Sequence, residues 1–228
     1  MGGRGVKAGG VTGHLIAFEG IDGAGKTTQA RLLVRRLRRR GVPTLLVREP
    51  GGTPLGWRLR RWVKDARHVL TPPAEAFLLL AARAQVAGGV VLPALARGQW
   101  VVCDRWADST LAYQGYGRGL PLALLREANH LAAGALVRPS LAILLDLPPE
   151  EAVRRRPPSP HDPFETAGLG FLRRVREGYV ALAGEEPERW LVVDATLPVP
   201  TIAALVWERV RRLLAGEEGL APPRPSPL

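Results

Sequence analysis

Cysteine is nearly absent from this 228-residue chain, because Cys103 is the only one. A single cysteine excludes an internal disulfide framework and favours a reducing compartment. Lysine is almost as scarce, with Lys7, Lys26 and Lys64 as the full set. No uninterrupted apolar run is long enough to span a bilayer, and the first residues lack the apolar core of a signal peptide. We therefore expect a cytoplasmic protein without a membrane partner.

Basic residues nevertheless outnumber acidic ones, with 32 Lys and Arg against 21 Asp and Glu. Nearly all of the basic residues are arginines, and many fall on predicted helix surfaces. No basic segment carries interleaved aromatic residues, and no zinc-ligand set or helix-turn-helix pattern is evident. We expect solvated helix faces with phosphate-binding arginines among them, and no nucleic-acid partner.

The most informative segment is a complete Gly-x-x-x-x-Gly-Lys-Thr phosphate-binding loop. It follows an apolar strand and precedes a helical pattern, which is the context in which this motif binds phosphate. Backbone N–H groups of the loop and the start of the helix cradle a phosphate, Lys26 would reach the β- and γ-phosphates, and the Thr27 hydroxyl would bind Mg²⁺. The motif predicts an ATP site made of Gly20, Ile21, Asp22, Gly23, Ala24, Gly25, Lys26, Thr27 and Thr28.

Five apolar, β-rich runs alternate with helical patterns along the chain. Short continuous apolar runs suit strands that are buried on both faces. The alternation predicts an α/β fold of the P-loop NTPase type: a three-layer αβα sandwich whose five-stranded parallel sheet carries helices on both faces. The predicted strands are 15–19, 44–48, 100–104, 141–147 and 190–194, and the predicted helices are 28–40, 74–97, 121–135, 169–183 and 201–214.

The length suits one domain with a sizeable core. We predict a single domain over residues 14–216, because no internal repeat or interdomain linker is present. Residues 1–13 are glycine-rich and residues 217–228 carry alternating prolines, so both ends are expected to be flexible tails. The proline-rich segment 157–160 is expected to be a loop tip.

An acidic residue ends the third predicted strand, where Asp104 follows three apolar residues. In this fold class such an acid often orients Mg²⁺ and its waters. Asp146, which ends the fourth strand, is the alternative. Asp104 is favoured because Arg105 beside it supplies a phosphate partner. Mg²⁺ is therefore the expected cofactor, with Thr27 and Asp104 as its metal residues.

Four segments together resemble bacterial thymidylate kinase in order and spacing. They are the phosphate loop, REPGGT at 48–53, DRWADSTLAYQG at 104–115 and DPFE at 162–165. The resemblance covers nearly the whole span from Gly13 to about Leu214. It implies a nucleoside monophosphate kinase that transfers the γ-phosphate of MgATP to dTMP. It further implies a homodimer and a short lid at about 150–168.

The resemblance also implies roles for single residues. Asp22 would accept a hydrogen bond from the 3′-hydroxyl of dTMP, and Tyr113 would lie under the sugar and leave no room for a 2′-hydroxyl. Arg48 and Arg105 would clamp the dTMP phosphate with guanidinium forks. Arg83 would donate to thymine O4. The implied dTMP-binding set is Asp22, Arg48, Leu79, Arg83, Arg105, Thr110, Tyr113 and Gln114.

Two positions depart from the family pattern. Leu79 stands where the family usually has a phenylalanine that stacks on thymine, and aromatic pairs of this kind are worth about 0.5–1.5 kcal/mol. Phe77 lies roughly on the opposite side of the predicted helix, so we do not expect it to substitute. Pro163 replaces the usual arginine and removes a positive charge from the lid.

A cation must stabilise the charge on the transferring phosphoryl group, and the phosphate loop here contains no arginine. Members of the family that this chain resembles carry an arginine for this purpose either in the loop or in the lid, so the resemblance implies that the lid provides it here. At least one of Arg154, Arg155 and Arg156 is expected to act, without a choice among them. The expected catalytic residues are Lys26, Asp104, Arg105, Arg154, Arg155 and Arg156.

Other functions stay open from the sequence. The nearest is a kinase of another nucleoside monophosphate or of a deoxynucleoside, because Leu79 alters the base pocket. A GTPase is disfavoured, since Asn129 is the only asparagine and His130, not lysine, follows it. An ATP-driven motor is disfavoured because it would normally need a larger chain and a sensor region. A non-catalytic module would bind ATP without transferring phosphate.

Overall fold

A five-stranded, all-parallel sheet forms the centre of the fold in the computed structural model of this chain, which describes residues 13–134, 138–155, 162–164 and 166–216. The strand order is β2-β3-β1-β4-β5, so the first strand lies in the middle. The strands are β1 (Leu15–Glu19), β2 (Thr44–Arg48), β3 (Trp100–Asp104), β4 (Leu141–Asp146) and β5 (Trp190–Asp194).

Helices connect the strands and cover the sheet. Two of them contain π-helical turns, at Ala87–Val91 within α3 and at Leu111–Gly117 within α4. The helices of the described residues are α1 (Lys26–Arg39), α2 (Pro54–Val63), α3 (Pro72–Ala96), α4 (107–117), α5 (Leu122–Ala133), α6 (Pro149–Arg155), α7 (Gly168–Glu185) and α8 (Val199–Leu214).

Strand β1 divides the apolar interior into two clusters. Its side chains alternate in direction, as they must in an extended strand. Leu15 and Ala17 belong to the cluster that includes Val91 of α3, whereas Ile16 and Phe18 belong to the larger cluster under α1, α7 and α8. Helices therefore lie on both faces of the sheet, which confirms the predicted three-layer αβα architecture.

The loops that follow β1, β2 and β3 meet at one edge of the sheet. The Glu49 N–H donates to the Asp104 carbonyl at 3.0 Å, and the Arg105 N–H donates to the Phe18 carbonyl at 2.9 Å. Gly20 passes so close to β4 that a Cβ atom there would lie 2.5 Å from the Leu145 carbonyl oxygen. Only glycine allows the chain to leave β1 in this way.

Three helices were not predicted from the sequence pattern: α2, α4 and α6. Helix α2 begins at Pro54 with Thr53 as its N-cap, whose hydroxyl accepts from the Gly56 N–H at 3.0 Å. Helix α4 is short and partly π-helical, and α6 spans only two turns, so neither has a clear apolar period. The predicted strand 141–147 was one residue too long, because β4 ends at Asp146.

Several predicted segments lie outside the described residues. These are residues 1–12 of the N-terminal tail, the C-terminal tail 217–228, and residues 156–161 and 165 of the lid. The loop tip at 157–160 is among them. The expectations for these segments stay predictions.

Helix α3 is long and apolar enough, by composition alone, to cross a membrane. The core helix of a globular protein passes the same test. Arg83 lies near its middle and is buried beside Glu49, and the helix packs against α2 and α5. These contacts show that α3 packs one face against the rest of the fold.

The packing of α7 on α4 leads to a stability prediction. A Cβ atom at Gly178 would lie 2.6–2.8 Å from ring and Cβ atoms of Tyr116, whereas a Cβ at Gly184 on the same helix meets nothing within 4 Å. We expect Gly178→Ala to lower the free energy of unfolding by about 1–3 kcal/mol through overpacking. Gly184→Ala should raise it by about 0.4–1 kcal/mol.

Urea unfolding followed by circular dichroism measures both effects. Because the two variants make the same chemical change on one helix, Gly184→Ala controls for helix propensity. An unchanged or higher stability of Gly178→Ala would contradict the close approach of the two helices.

Candidate active site

A cleft of about 310 Å³ opens at the edge of the sheet where β1, β2 and β3 end. It brings together residues that are far apart in the sequence. Most of the predicted ATP-binding and dTMP-binding residues line it. These are Asp22, Gly23, Gly25, Lys26, Thr27, Thr28, Arg48, Leu79, Arg83, Asp104, Arg105, Thr110, Tyr113 and Gln114.

Three predicted loop residues lie beneath the cleft instead of lining it. Ile21 and Ala24 are buried in the core, and Gly20 makes the close passage beside Leu145. Their contribution is to the shape of the loop. Gly25, with φ of 90°, ends the loop and acts as the N-cap of α1.

Lys26 is buried beneath the loop, and its ammonium group donates to the Ile21 carbonyl at 2.7 Å. Burial lowers the pKa of Lys26 to about 7, with a further contribution from the positive charge of Arg105. The carboxylates of Asp22 and Asp104 oppose this shift. Lys26 therefore loses its proton far more readily than an exposed lysine until an anion enters the site.

The two predicted metal residues are in direct contact, since the Thr27 hydroxyl donates to the Asp104 carboxylate at 2.5 Å. Asp104 ends β3 and is 5% exposed. The alternative acid, Asp146, accepts hydrogen bonds from two guanidinium nitrogens of Arg176 at 2.6 and 2.8 Å. Asp146 does not line the cleft. The geometry therefore favours Asp104 over Asp146 as the acid beside the phosphate loop.

Arg105 donates hydrogen bonds to four side chains of the site. One terminal nitrogen donates to Asp22 at 2.6 Å and to the Tyr113 hydroxyl at 2.9 Å. The other donates to the hydroxyls of Ser109 at 3.2 Å and Tyr179 at 3.0 Å. Arg105 also has φ of 75°, the only such value at a non-glycine residue in the described segments. A left-handed backbone at a bulky residue is strained and persists only where its surroundings hold it.

Asp22 neutralises several cations of the cleft. Besides its bond to Arg105, it lies 3.8 Å from the Lys26 ammonium and 3.6 Å from that of Lys64. Burial alone would raise the pKa of Asp22, but these three positive charges outweigh it and hold the pKa well below its usual value. Asp22 is ionised at neutral pH and is available as a hydrogen-bond acceptor.

Glu19 lies beneath this network, and the sequence analysis missed it. One oxygen accepts from the Trp106 N–H at 2.7 Å, and the other accepts from the Ser109 and Tyr179 hydroxyls at 2.6 and 3.0 Å. Burial, followed by the negative charge of Asp108, raises the pKa of Glu19 to about 7. The sequence feature that could have identified Glu19 is an acidic residue at the end of a fully buried strand, directly before the phosphate loop.

Two cations at the mouth of the cleft come from different elements. Arg48 ends β2, and its Nε lies 3.7 Å from the Asp104 carboxylate. Arg60 of α2 donates to the Pro50 carbonyl at 3.2 Å. Burial lowers the pKa of Arg60, and the charge of Arg48 adds to this effect. Arg60 was missed because α2 was not predicted.

Arg83 lines the cleft, but most of its donors are used within the protein. It is 3% exposed, and its Nε donates to Glu49 at 3.0 Å. One terminal nitrogen donates to Thr110 and Asn129 at 2.6 and 2.5 Å, and the other donates to the Trp106 carbonyl at 3.2 Å. The side chain is thus held rigidly at the inner end of the cleft.

An apolar wall faces these polar groups. It consists of Val63, Leu79, Tyr113 and Phe164. The rings of Tyr113 and Phe164 meet edge to face with centroids 5.8 Å apart, an arrangement that aromatic pairs favour. Phe77 is 67% exposed and does not line the cleft, as its position on the helix indicated. The sequence analysis noted Phe164 within its motif but assigned it no role.

The lid arginines of the described residues do not line the cleft. Arg154 pairs with Glu151 and is 77% exposed, and Arg155 donates to Glu151 and to the Ala195 carbonyl, both at 2.9 Å. Arg156 lies outside the described residues. A catalytic role for this trio stays a prediction.

Fold and site together define a P-loop nucleotide-binding protein with a cation-rich cleft beside its phosphate loop. The "Thymidylate kinase" family matches residues 18–206 of the chain. The chain belongs to the thymidylate kinase family.

Individual relatives support the same assignment. Thymidylate kinase of Desulforudis audaxviator is 49% identical over 206 residues, covering 90% of this chain and 93% of the relative. That of Deinococcus radiodurans is 49% identical over 202 residues, covering 87% and 96%. The crystal structure of thymidylate kinase from Ehrlichia chaffeensis superposes with a TM-score of 0.73 at 31% identity, covering 87% of this chain and 98% of the other.

The lowered pKa of Lys26 predicts proton uptake when a nucleotide binds. At pH 8 a lysine side chain with a pKa of about 7 is mostly neutral. The phosphates of a bound nucleotide would raise the pKa of Lys26, so that its amine takes up a proton. Between pH 7 and the pKa of the bound state, nucleotide affinity should fall as pH rises. Calorimetry at pH 8 in two buffers of different ionisation enthalpy measures the protons taken up.

The matched variant is Lys26→Arg, whose guanidinium stays charged and should bind nucleotide without proton uptake. Equal binding heats for the wild type in both buffers would refute the lowered pKa.

Proposed function

We propose that this protein transfers the γ-phosphate of ATP to dTMP, giving dTDP and ADP, on the path to dTTP. The observation that carries the proposal is the cleft of a thymidylate kinase family member, in which a complete phosphate loop faces Arg48, Arg60 and Arg105. The loop suits the donor, and the arginines suit a second, monoester phosphate.

The acceptor would sit between the arginines and the apolar wall. Arg48 and Arg105 would hold its phosphate, and the Asp22 carboxylate would accept from the 3′-hydroxyl. Tyr113, which is 7% exposed, would pack under the sugar and leave no room for a 2′-hydroxyl. At the inner end, Thr110, Gln114 and Arg83 would face the base, while Leu79 covers it.

Chemistry at this site would depend on position and charge. The monoester phosphate is already ionised at neutral pH, so no strong general base is needed. Lys26 would bind the β- and γ-phosphates of the donor. Arg105 would hold the dTMP phosphate so that its attacking oxygen is in line with the γ-phosphate. Holding both reactants in this geometry removes much of the entropic barrier.

The residues beside the loop also fit Mg²⁺. A threonine hydroxyl and an aspartate oxygen in contact are hard oxygen donors of the type that this ion prefers. We propose that Thr27 and Asp104 hold it, directly or through water. When bound, it would neutralise charge on the donor phosphates.

A kinase with a different acceptor is the second candidate. Leu79 lines the cleft where an aromatic ring would stack on thymine, so the base contacts differ from the family pattern. An altered base preference would leave the phosphate and sugar contacts unchanged.

An acceptor panel tests the proposal. Purified protein with MgATP should release ADP rapidly with dTMP and more slowly with dUMP, because a methyl group in an apolar pocket is worth about 1–3 kcal/mol. It should release hardly any ADP with UMP, because Tyr113 would leave no room for the 2′-hydroxyl. Lys26→Ala should abolish transfer. Faster turnover with dCMP, dGMP, AMP or thymidine would favour the second candidate, and ATP binding without any turnover would contradict a kinase.

The lid arginines are tested separately. We propose that at least one of Arg154, Arg155 and Arg156 reaches the transferring phosphoryl group when substrates are bound. Replacing all three by alanine should lower kcat at least tenfold and leave dTMP affinity within about threefold, because the loss falls on the transition state. A wild-type kcat in the triple variant would contradict this role.

We further propose a cytoplasmic homodimer that acts without nucleic-acid or membrane partners. Helices α3 and α5 pack together and expose Phe77, Leu124 and Leu131, which are 67%, 63% and 87% exposed. Large exposed apolar side chains on two packed helices favour association with a second copy. Sedimentation velocity tests this, and a monomer at micromolar concentration would contradict it.

A further inference from the structure

Lys64 is a cleft residue to which the motifs assign no role. It follows α2 directly, is 23% exposed, and lines the cleft between the phosphate loop and the lid. Its ammonium group lies 2.5 Å from the Asp162 carboxylate and 3.6 Å from that of Asp22. Lys64 therefore links three parts of the chain that are distant in sequence.

Asp162 in turn shapes the short segment that follows it. Its second carboxylate oxygen accepts from the Phe164 N–H at 3.0 Å, and its carbonyl accepts from the Thr166 N–H at 3.0 Å. An aspartate that bonds the backbone two residues ahead closes a tight turn. The Lys64 ammonium and the turn 162–164 thus share one carboxylate.

The turn delivers Phe164 to the cleft. The Phe164 ring is 8% exposed, meets Tyr113 edge to face, and lies 5.5 Å from the Arg118 guanidinium. Arg118 and the Gln114 side chain both donate to Glu75, so the ring lies toward the base end of the cleft. An aromatic ring on this wall is the more valuable because Leu79 offers no stacking.

We propose that Lys64 is a positioning residue which, through Asp162, holds Phe164 against the dTMP pocket. The proposal rests on the proposed function. Two features favour this role over direct binding of a substrate phosphate. The ammonium is already in a short ion pair with a carboxylate that is 9% exposed, and Asp22 occupies another side of it. A cation held by two carboxylates attracts a further anion weakly.

Steady-state kinetics of single and double variants test the proposal. Lys64→Met, Asp162→Asn and Phe164→Ala should each raise the KM for dTMP about tenfold and leave the KM for ATP within about twofold. Lys64→Met/Asp162→Asn should be no worse than either single variant, because both changes break the same link. Lys64→Arg should restore most of the dTMP affinity, and Arg61→Ala, an exposed cation on α2, is the matched control.

Direct phosphate binding by Lys64 makes the opposite prediction. Lys64→Met would then weaken dTMP binding while Asp162→Asn left it unchanged or stronger, and this result would overturn the proposal. Equal loss of dTMP and ATP affinity in Lys64→Met would overturn it as well.

Hydrogen exchange separates this proposal from the proposed function. In the absence of substrates, Lys64→Met should speed exchange of the Phe164 and Thr166 amides, which bond to Asp162, whereas Arg61→Ala should not. Unchanged exchange in Lys64→Met would refute the positioning role whatever the wild type phosphorylates. A wild type inactive on dTMP would refute the proposed function and leave this test standing.

Discussion

The bond between Arg105 and Asp22 organises the cleft. It joins the loop after β3 to the loop after β1 at 2.6 Å, and Tyr113 and Tyr179 hold the same guanidinium from other sides. A charge buried at this depth is tolerable only when its donors are satisfied. The strained backbone of Arg105 is held by the same contacts. Lys26 and Lys64 contact the same pair through Asp22.

Cations outnumber carboxylates along the surrounding cleft, but the two kinds of charge are paired there before any substrate enters. Cations of the phosphate loop and the neighbouring loops face carboxylates at Asp22 and Asp104, and Lys26 has lost part of its charge through burial. When substrate phosphates enter, the cleft cations would therefore exchange their carboxylate partners in the protein for phosphate oxygens. A site prepared in this way avoids the cost of several unpaired buried charges and still presents donors to an anion.

Much of the fold and site followed from the sequence. Continuous apolar runs predicted all five strands, and the glycine pattern predicted the loop because glycines at 20 and 25 adopt conformations that other residues resist. The sequence analysis assigned no helix to α2, although its apolar residues Leu55, Leu59 and Val63 recur at helical spacing. Arg60 and Lys64 were missed as a result, since their place in the cleft depends on that helix.

The sequence by itself determined the fold class, the phosphate loop and the set of residues that gather at the ends of the strands, because strand periodicity and glycine conformation are local properties. Only the tertiary structure placed Asp104 against Thr27 beside the phosphate loop and Asp146 in a pair with Arg176 outside the cleft, since an acid ends the strand in both cases. It also decided that Arg83 is occupied internally and that Phe164 completes the apolar wall. These outcomes depend on which side chains meet across the sheet, and that is set by packing over long distances in sequence.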